Sequence, residues 1–322
     1  MPEKPWAIGV DLGGTKVEIA QIDDSGKVLQ RLRRPTDVKD GYEAVINEIV
    51  STTHELHQRT GSPAAGVGVG VAGQIEADTG FVYFAPNLDW HDVPFEADLS
   101  QALKMPVVVT NDVRAATWGE WLHGAGQGCK DLICLFIGTG IGGGVVSSGQ
   151  ILSGCTNTAG ELGHIPIELH GPVCHCGNRG CLEAHASGWA IAGNAKDAVQ
   201  SDPKKGEKLL ELAGGNPALI TARQVVEAAH AGDPLAMALM KDVSEALTVG
   251  CTGLINAFNP CKLILGGGII EGMPELVEQI AQGVKTHALE AATTKLEVLP
   301  AQLHNDAGVI GAGSLAIYRF SV

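Results

Sequence analysis

The chain has 322 residues, 45% of them apolar, and a formal net charge of −14. A chain of this length ordinarily divides its core between two domains. The acidic balance excludes general binding to a nucleic-acid backbone, which needs clustered Lys and Arg, and no apolar run reaches about 18 residues without a charge or a glycine turn, so no membrane-spanning helix is expected.

The first strand is expected almost at once after Met1, which leaves no room for a signal peptide. The eight cysteines lie mostly in apolar or scattered contexts, which fits reduced thiols and a cytoplasmic location. From Pro5, PWAIGVDLGGTKVEIAQID reads as a strand, a tight glycine turn and a second strand; KVEIAQI alternates polar and apolar, as a strand with one covered face does. DGYEAVINEIVSTTHELHQRTG spaces its apolar residues at helical period and predicts a stop at Gly61. AAGVGVGVAG and PVVVTNDV are short buried strands, and DLICLFIGTGIGGGVVSSGQIL is again strand, glycine turn, strand. Further on, TARQVVEAAHAGDPLAMALMKDVSEALTVGCTGLINAFNP predicts two helices broken near Gly232–Pro234 and ending before Pro260. CKLILGGGII is a buried strand running into three glycines, MPELVEQIAQGVKTHAL a helix, and DAGVIGAGSLAIYRF a closely packed terminal helix.

Neither glycine turn is followed by an amphipathic helix, which argues against a Rossmann dinucleotide fold, and the Walker pattern is absent at both. Two strand–turn–strand units about one domain apart suggest a duplicated fold with a ligand between its halves. Backbone N–H groups in such turns form concave anion sites suited to phosphate.

CHCGNRGCLEAHASG, residues 174–188, crowds Cys174, Cys176 and Cys181 together. Three cysteines cannot close a disulfide framework, and Cys174 and Cys176 are too near in sequence for an easy bridge. Zn²⁺ takes four thiolate or imidazole ligands, and His164 would complete the set, with Gly177 and Gly180 folding the loop back. His170 and His175 are rival ligands, but His175, between two ligating cysteines, would point away. A DNA-reading finger lacks its paired spacing and a basic recognition helix here. The cluster therefore reads as a structural zinc knuckle. Glu161, three residues before His164, is placed to share one helix face with it, and Glu183 lies two residues after Cys181. Fixed Glu and His side chains suit the vicinal hydroxyls of a sugar.

DLGGTK, NDVRAATWGEW, GTGIGGG, AGELGH with CHCGNRGCLEAHASG, and LILGGGI occur in the order seen in the ROK family of repressors and sugar kinases, and the resemblance spans nearly the whole chain. YFAPNLDWHDVPF also resembles the sugar-side segment of the family's bacterial glucokinases. The resemblance implies a duplicated actin-like (ribonuclease H-like) α/β fold, two domains around a cleft, the smaller comprising 1–112 with about 306–322 and the larger, 113–305, carrying the zinc knuckle. It implies ATP-dependent phosphorylation of a hexose at its 6-hydroxyl, glucose first. Kinases for N-acetylmannosamine, N-acetylglucosamine, mannose, fructose or allose are the rivals, and a sugar sensor without catalysis is the non-enzyme alternative. Family repressors carry an N-terminal helix-turn-helix, for which the early first turn leaves no space. A homodimer or higher homo-oligomer follows only from the resemblance, and polyphosphate or ADP is an alternative donor.

Carried over residue by residue, the resemblance makes Asp112 the catalytic base. It makes Asn111, Glu161, His164 and Glu183, with Asp112, the sugar ligands, and it has Gly73 let backbone approach the sugar. Asp11 would hold Mg²⁺ through water. Gly13, Gly14 and Thr15 form the first phosphate turn and Thr139, Gly140 and Gly142 the second. Gly266, Gly267 and Gly268 would admit adenine and ribose. Lys16 is either a γ-phosphate contact or a solvated strand residue.

Overall fold

The valine- and isoleucine-rich runs form strands where the alternation predicts them. The computed structural model describes residues 5–57, 63–202 and 204–321. In chain order these form β1 (Trp6–Leu12), β2 (Lys16–Asp23), β3 (Val28–Pro35), α1 (Tyr42–His57), β4 (Val67–Val71), β5 (Gln74–Ile75), β6 (Val82–Ala85), β7 (Trp90–Val93), α2 (Phe95–Leu103), β8 (Val107–Asn111) and α3 (Asp112–His123). There follow β9 (Leu132–Ile137), β10 (Ile141–Ser147), β11 (Gln150–Ile151), α4 (Leu182–Ala186), α5 (Gly188–Ser201), α6 (Glu207–Leu212), α7 (Ala222–His230) and α8 (Pro234–Phe258). The last are β12 (Lys262–Gly266), α9 (Gly268–Gly272), α10 (Glu275–His287), α11 (Glu290–Thr293), β13 (Glu297–Pro300) and α12 (Ala307–Phe320). α1 is described to His57; its expected stop at Gly61 lies outside the described residues.

Packing divides the chain into two units, Met1–Cys129 with Ile151–Gly160 and Gln302–Val322, and Lys130–Gln150 with Glu161–Ala301. The first thus takes in α3 and residues 151–160 in addition to the expected 1–112 and C-terminal tail. For α3 the reason is contact with α12: a Cβ on Gly311 would lie 1.7 Å from the Ala115 carbonyl oxygen, and one on Gly119 2.5 Å from that of Ala307.

Each unit has a five-stranded sheet, ordered β3-β2-β1-β4-β8 in the first and β11-β10-β9-β12-β13 in the second. β2 runs antiparallel to both of its neighbours, β1 and β3, and β4 and β8 are parallel to β1. In the second unit β10 is antiparallel to β9, and β12 and β13 are parallel to it. The same strand order, with the same switch from antiparallel to parallel, is the duplication the two glycine turns announce. This is the actin-like ATPase fold. In the first unit, Ile8, Val10, Ile19, Ile49, Val69, Phe95 and Leu99 are packed beneath the sheet. No helix among the described residues is long and apolar enough to cross a membrane.

Candidate functional site

In the first unit the glycine turn after β1 closes through the Gly13 N–H, which donates to the Lys16 carbonyl at 3.0 Å. A Cβ on Gly14 would lie 2.3 Å from the Asn87 carbonyl oxygen, so only glycine lets the turn pass there. Thr15 and Lys16 are exposed. The carboxyl of Asp11, the penultimate residue of β1, rests against the first turn of α12, 3.2 Å from where a Cβ on Gly308 would stand. Burial and the negative charge of Asp112 push the Asp11 carboxyl up to about 6, with a further push from Glu18 and a pull down from Lys16. So Asp11 and Asp112 share one electrostatic field, and the Lys16 ammonium reaches it too.

Asp112 opens α3 at the end of β8 and is half-buried. Its Oδ1 accepts a hydrogen bond from the Val113 N–H at 2.9 Å. Asn111 caps the helix, its Oδ1 accepting from Val113 N–H at 3.0 Å and Arg114 N–H at 3.2 Å. Its side-chain amide donates to the Gly73 carbonyl at 3.3 Å. One amide hydrogen of Asn111 is left over from these bonds. Gly73 also has a packing reason to be glycine, because a Cβ there would lie 2.6 Å from the Phe84 carbonyl oxygen. The buried Arg114 donates to the carbonyls of Asn157 and Ala159, both at 3.0 Å, and to the Asn157 side chain, fixing the loop that follows β11. The sequence reading did not single out Arg114, although it stands within the NDVRAATWGEW segment.

In the second unit the turn between β9 and β10 closes through the Gly138 N–H and the Gly140 carbonyl, 2.9 Å apart. It leans on the start of α5: Gly188 N–H donates to the Gly138 carbonyl at 2.8 Å and Trp189 N–H to that of Thr139 at 3.2 Å. Glu183, on α4, braces it from the other side, with Oε2 accepting from Ile141 N–H at 2.8 Å. A Cβ on Gly140 would meet that oxygen at 2.6 Å. Gly142 pairs with Phe136 inside the hairpin. Gly267 has φ +90°, and a Cβ on it would lie 2.4 Å from the Ile137 carbonyl oxygen; Gly266 packs tightly on Ala301 and Phe136. Gly268 borders a pocket of about 790 Å³. Gly138, Thr139, Trp189, Lys196, Arg223 and Glu271 also line it. Of this pocket's lining, sequence reasoning named Thr139 and Gly268 but missed Trp189, Lys196, Arg223 and Glu271; of these four only Trp189 stands beside a motif, directly after CHCGNRGCLEAHASG.

Also in the second unit, His164, Cys174, Cys176 and Cys181 offer one nitrogen and three sulfurs, all within 4.8 Å of one another. Cys176 Sγ and Cys181 Sγ are 3.7 Å apart, and Cys174 Sγ lies 3.7 Å from His164 Nδ1. That is far longer than an S–S bond but matches the edge of about 3.8 Å of a tetrahedron with Zn–S of about 2.3 Å. The donors thus fit a tetrahedral Zn²⁺. Burial pushes the Cys181 thiol up to about 12 and raises Cys174, while the Asn178 N–H draws Cys176 down. His175 is not among the four donors; its ring stacks on Trp189, centroids 4.1 Å apart. His164 does not share an α-helical face with Glu161. Glu161 is exposed and precedes a single 3₁₀ turn, Leu162–His164, whose His164 N–H donates to the Glu161 carbonyl at 3.1 Å. The short LGH segment between Gly160 and Pro166 has no room for an α-helix.

The ROK family model matches residues 7–319, and the chain belongs to that family. It is 37% identical to a glucokinase of Halalkalibacterium halodurans over 96% of this chain and 94% of that protein. It is 38% identical to a glucokinase of Thermotoga maritima over 96% of both. Its fold matches the crystal structure of a ROK family glucokinase from Streptomyces griseus in complex with glucose and AMPPNP, with a TM-score of 0.81 and 33% identity, covering 97% of this chain and 99% of that one.

Proposed function

We propose that this chain is an ATP-dependent sugar kinase that phosphorylates glucose at its 6-hydroxyl. The Asp11–Asp112 pair carries the reading: one carboxylate near the end of β1 and one directly after β8, beside a glycine turn, the first of them held up to about 6 by burial and by the other's charge. Relatives over nearly the full length that are glucokinases, one of them solved with glucose and AMPPNP, support the same conclusion.

Phosphoryl transfer depends on positioning and charge neutralisation rather than on covalent help from the protein. Asp112 accepts the proton of the sugar 6-hydroxyl and aims that oxygen at the γ-phosphate. Asn111, Glu161, His164 and Glu183 bind the remaining hydroxyls, His164 through the ring nitrogen that does not face Cys174. The turns Gly13–Thr15 and Thr139–Gly142 hold phosphate oxygens with backbone N–H groups. The pocket beside Gly268 takes adenine and ribose, with Lys196 and Arg223 in its lining supplying positive charge. A cation fits beside Asp11, whose carboxyl otherwise sits in the field of two further carboxylates; Mg²⁺ there would neutralise charge on the transferred phosphate. Zn²⁺ on His164, Cys174, Cys176 and Cys181 serves structure. The thiol cluster fits a reducing cytoplasm, and the net charge of −14 favours a sugar and a nucleotide over nucleic acid as partners.

The test is an ADP-release assay with ATP and Mg²⁺ over a panel of hexoses and N-acetylhexosamines. Turnover with glucose well above the rest is expected. Preference for an acetamido sugar would keep the mechanism and overturn the substrate, and sugar binding with no turnover would make the chain a sensor.

A further inference from the structure

Trp189 touches both the metal-type cluster and the nucleotide-side turn. Its ring stacks on His175, interplanar angle 24°, and packs against Cys174, Cys181 and Ala184. Its Nε1–H donates to Glu183 Oε1 at 3.4 Å, while the other oxygen of Glu183 holds the Ile141 N–H of the turn. Its own backbone N–H holds the Thr139 carbonyl, and the residue lines the pocket with Gly138, Thr139 and Gly268. His175 lies between Cys174 and Cys176 in sequence, so the geometry of the cysteine loop sets where the imidazole can stack.

We propose that Trp189 is a positioning residue that couples metal occupancy of the His164–Cys174–Cys176–Cys181 cluster to nucleotide affinity. The proposal rests on the kinase reading and goes beyond a metal that shapes only the sugar side. Ordering the cysteine loop fixes the His175 ring, the stacked indole and Glu183, and through them the turn carrying Thr139. Such coupling is reciprocal: nucleotide must tighten metal binding by the factor by which metal tightens nucleotide.

The test is calorimetric titration of AMPPNP with Mg²⁺, without sugar, into the full-length chain in four forms: zinc-loaded, chelator-stripped, zinc-loaded His175→Ala and zinc-loaded Trp189→Phe. His175→Ala removes the stack and keeps all four metal donors, so zinc analysis should still find one ion per chain. Stripping and His175→Ala should each weaken AMPPNP by about fivefold or more, and Trp189→Phe, which keeps a ring but loses the N–H, by less. Saturating AMPPNP should slow zinc loss to a chelating dye in the wild type and leave it unchanged in His175→Ala. Should the stripped chain unfold by circular dichroism, zinc-loaded His175→Ala decides. AMPPNP affinity within twofold of wild type in that variant overturns the coupling and leaves the kinase reading standing. Absence of AMPPNP binding in the zinc-loaded wild type overturns both.

Discussion

Asp11 holds its proton more tightly than an ordinary carboxyl, up to about 6 from 3.8. Between those values the folded chain binds a proton that the unfolded chain releases, so this group's contribution to stability falls as pH rises through that window. Above about pH 6 the full cost is present, at most about 3 kcal/mol. Asp11→Asn should therefore raise the urea midpoint at pH 8 in chelator, and the gain should vanish by about pH 4; an equal gain at both pH values would mean that charge is not the cause. The same variant should lose most of its kinase activity at saturating Mg²⁺. Asp112→Asn should lower kcat by about 10²–10⁴-fold while leaving glucose affinity, measured calorimetrically, within a few-fold. Normal turnover would remove Asp112 from the role of base.

At the scale of elements, one side chain often serves both structure and site. Asn111 caps α3 through two backbone N–H groups and tethers Gly73. Asn111→Ala should thus cost about 1 kcal/mol in denaturant unfolding and also raise the KM for glucose, whereas Asn111→Asp should recover much of the stability without the KM. The cysteine loop is the other such element. Cys176→Ala, or chelation, removes a donor from the cluster and should lower the unfolding free energy by about 3 kcal/mol or more if the ion is held at a hundredfold excess over its Kd. The measurement is thermal unfolding with and without chelator; a wild type indifferent to chelation in demonstrably metal-free form would remove the structural role.

For the whole molecule, α12 decides how the first unit is assembled. It reaches β1, β4 and α3 through glycines: a Cβ on Gly9 would lie 2.0 Å from the Val309 carbonyl oxygen, and one on Gly68 1.8 Å from that of Ala312. Gly311→Ala should cost about 3 kcal/mol or more, because the new methyl meets the backbone of Ala115 and Gly119, which cannot swing aside as a side chain does. Soluble yield and urea midpoint report the effect. Asp306 ties the start of α12 to β3 through Arg31, with 2.7 and 2.8 Å bonds, and Arg31 in turn reaches the buried Glu18 at 2.9 Å. The helix that backs Asp11 is thus held at both its face and its start.

The strands, the two glycine turns and the long helices were legible in the chain because alternation, helical period and glycine runs are local properties. The cysteine spacing likewise pointed to a tetrahedral donor set, and the four side chains do gather. Other features have no local signature. Trp189, Lys196, Arg223 and Glu271 come to one pocket from three different helices, so no spacing along the chain announces them. The placing of α3 with the first unit depends on glycine contacts with a helix nearly two hundred residues away, and that of residues 151–160 on the bonds Arg114 makes to Asn157 and Ala159. The raised proton affinity of Asp11 likewise arises from burial and from Asp112, a hundred positions further on, whose charge is felt only once β1 and β8 flank β4 in one sheet. Sequence by itself determined the local elements and the glycine turns and cysteine spacing they bear; tertiary structure decided which residues share a field, a pocket or a brace, because charge, burial and contact act through space and not along the chain.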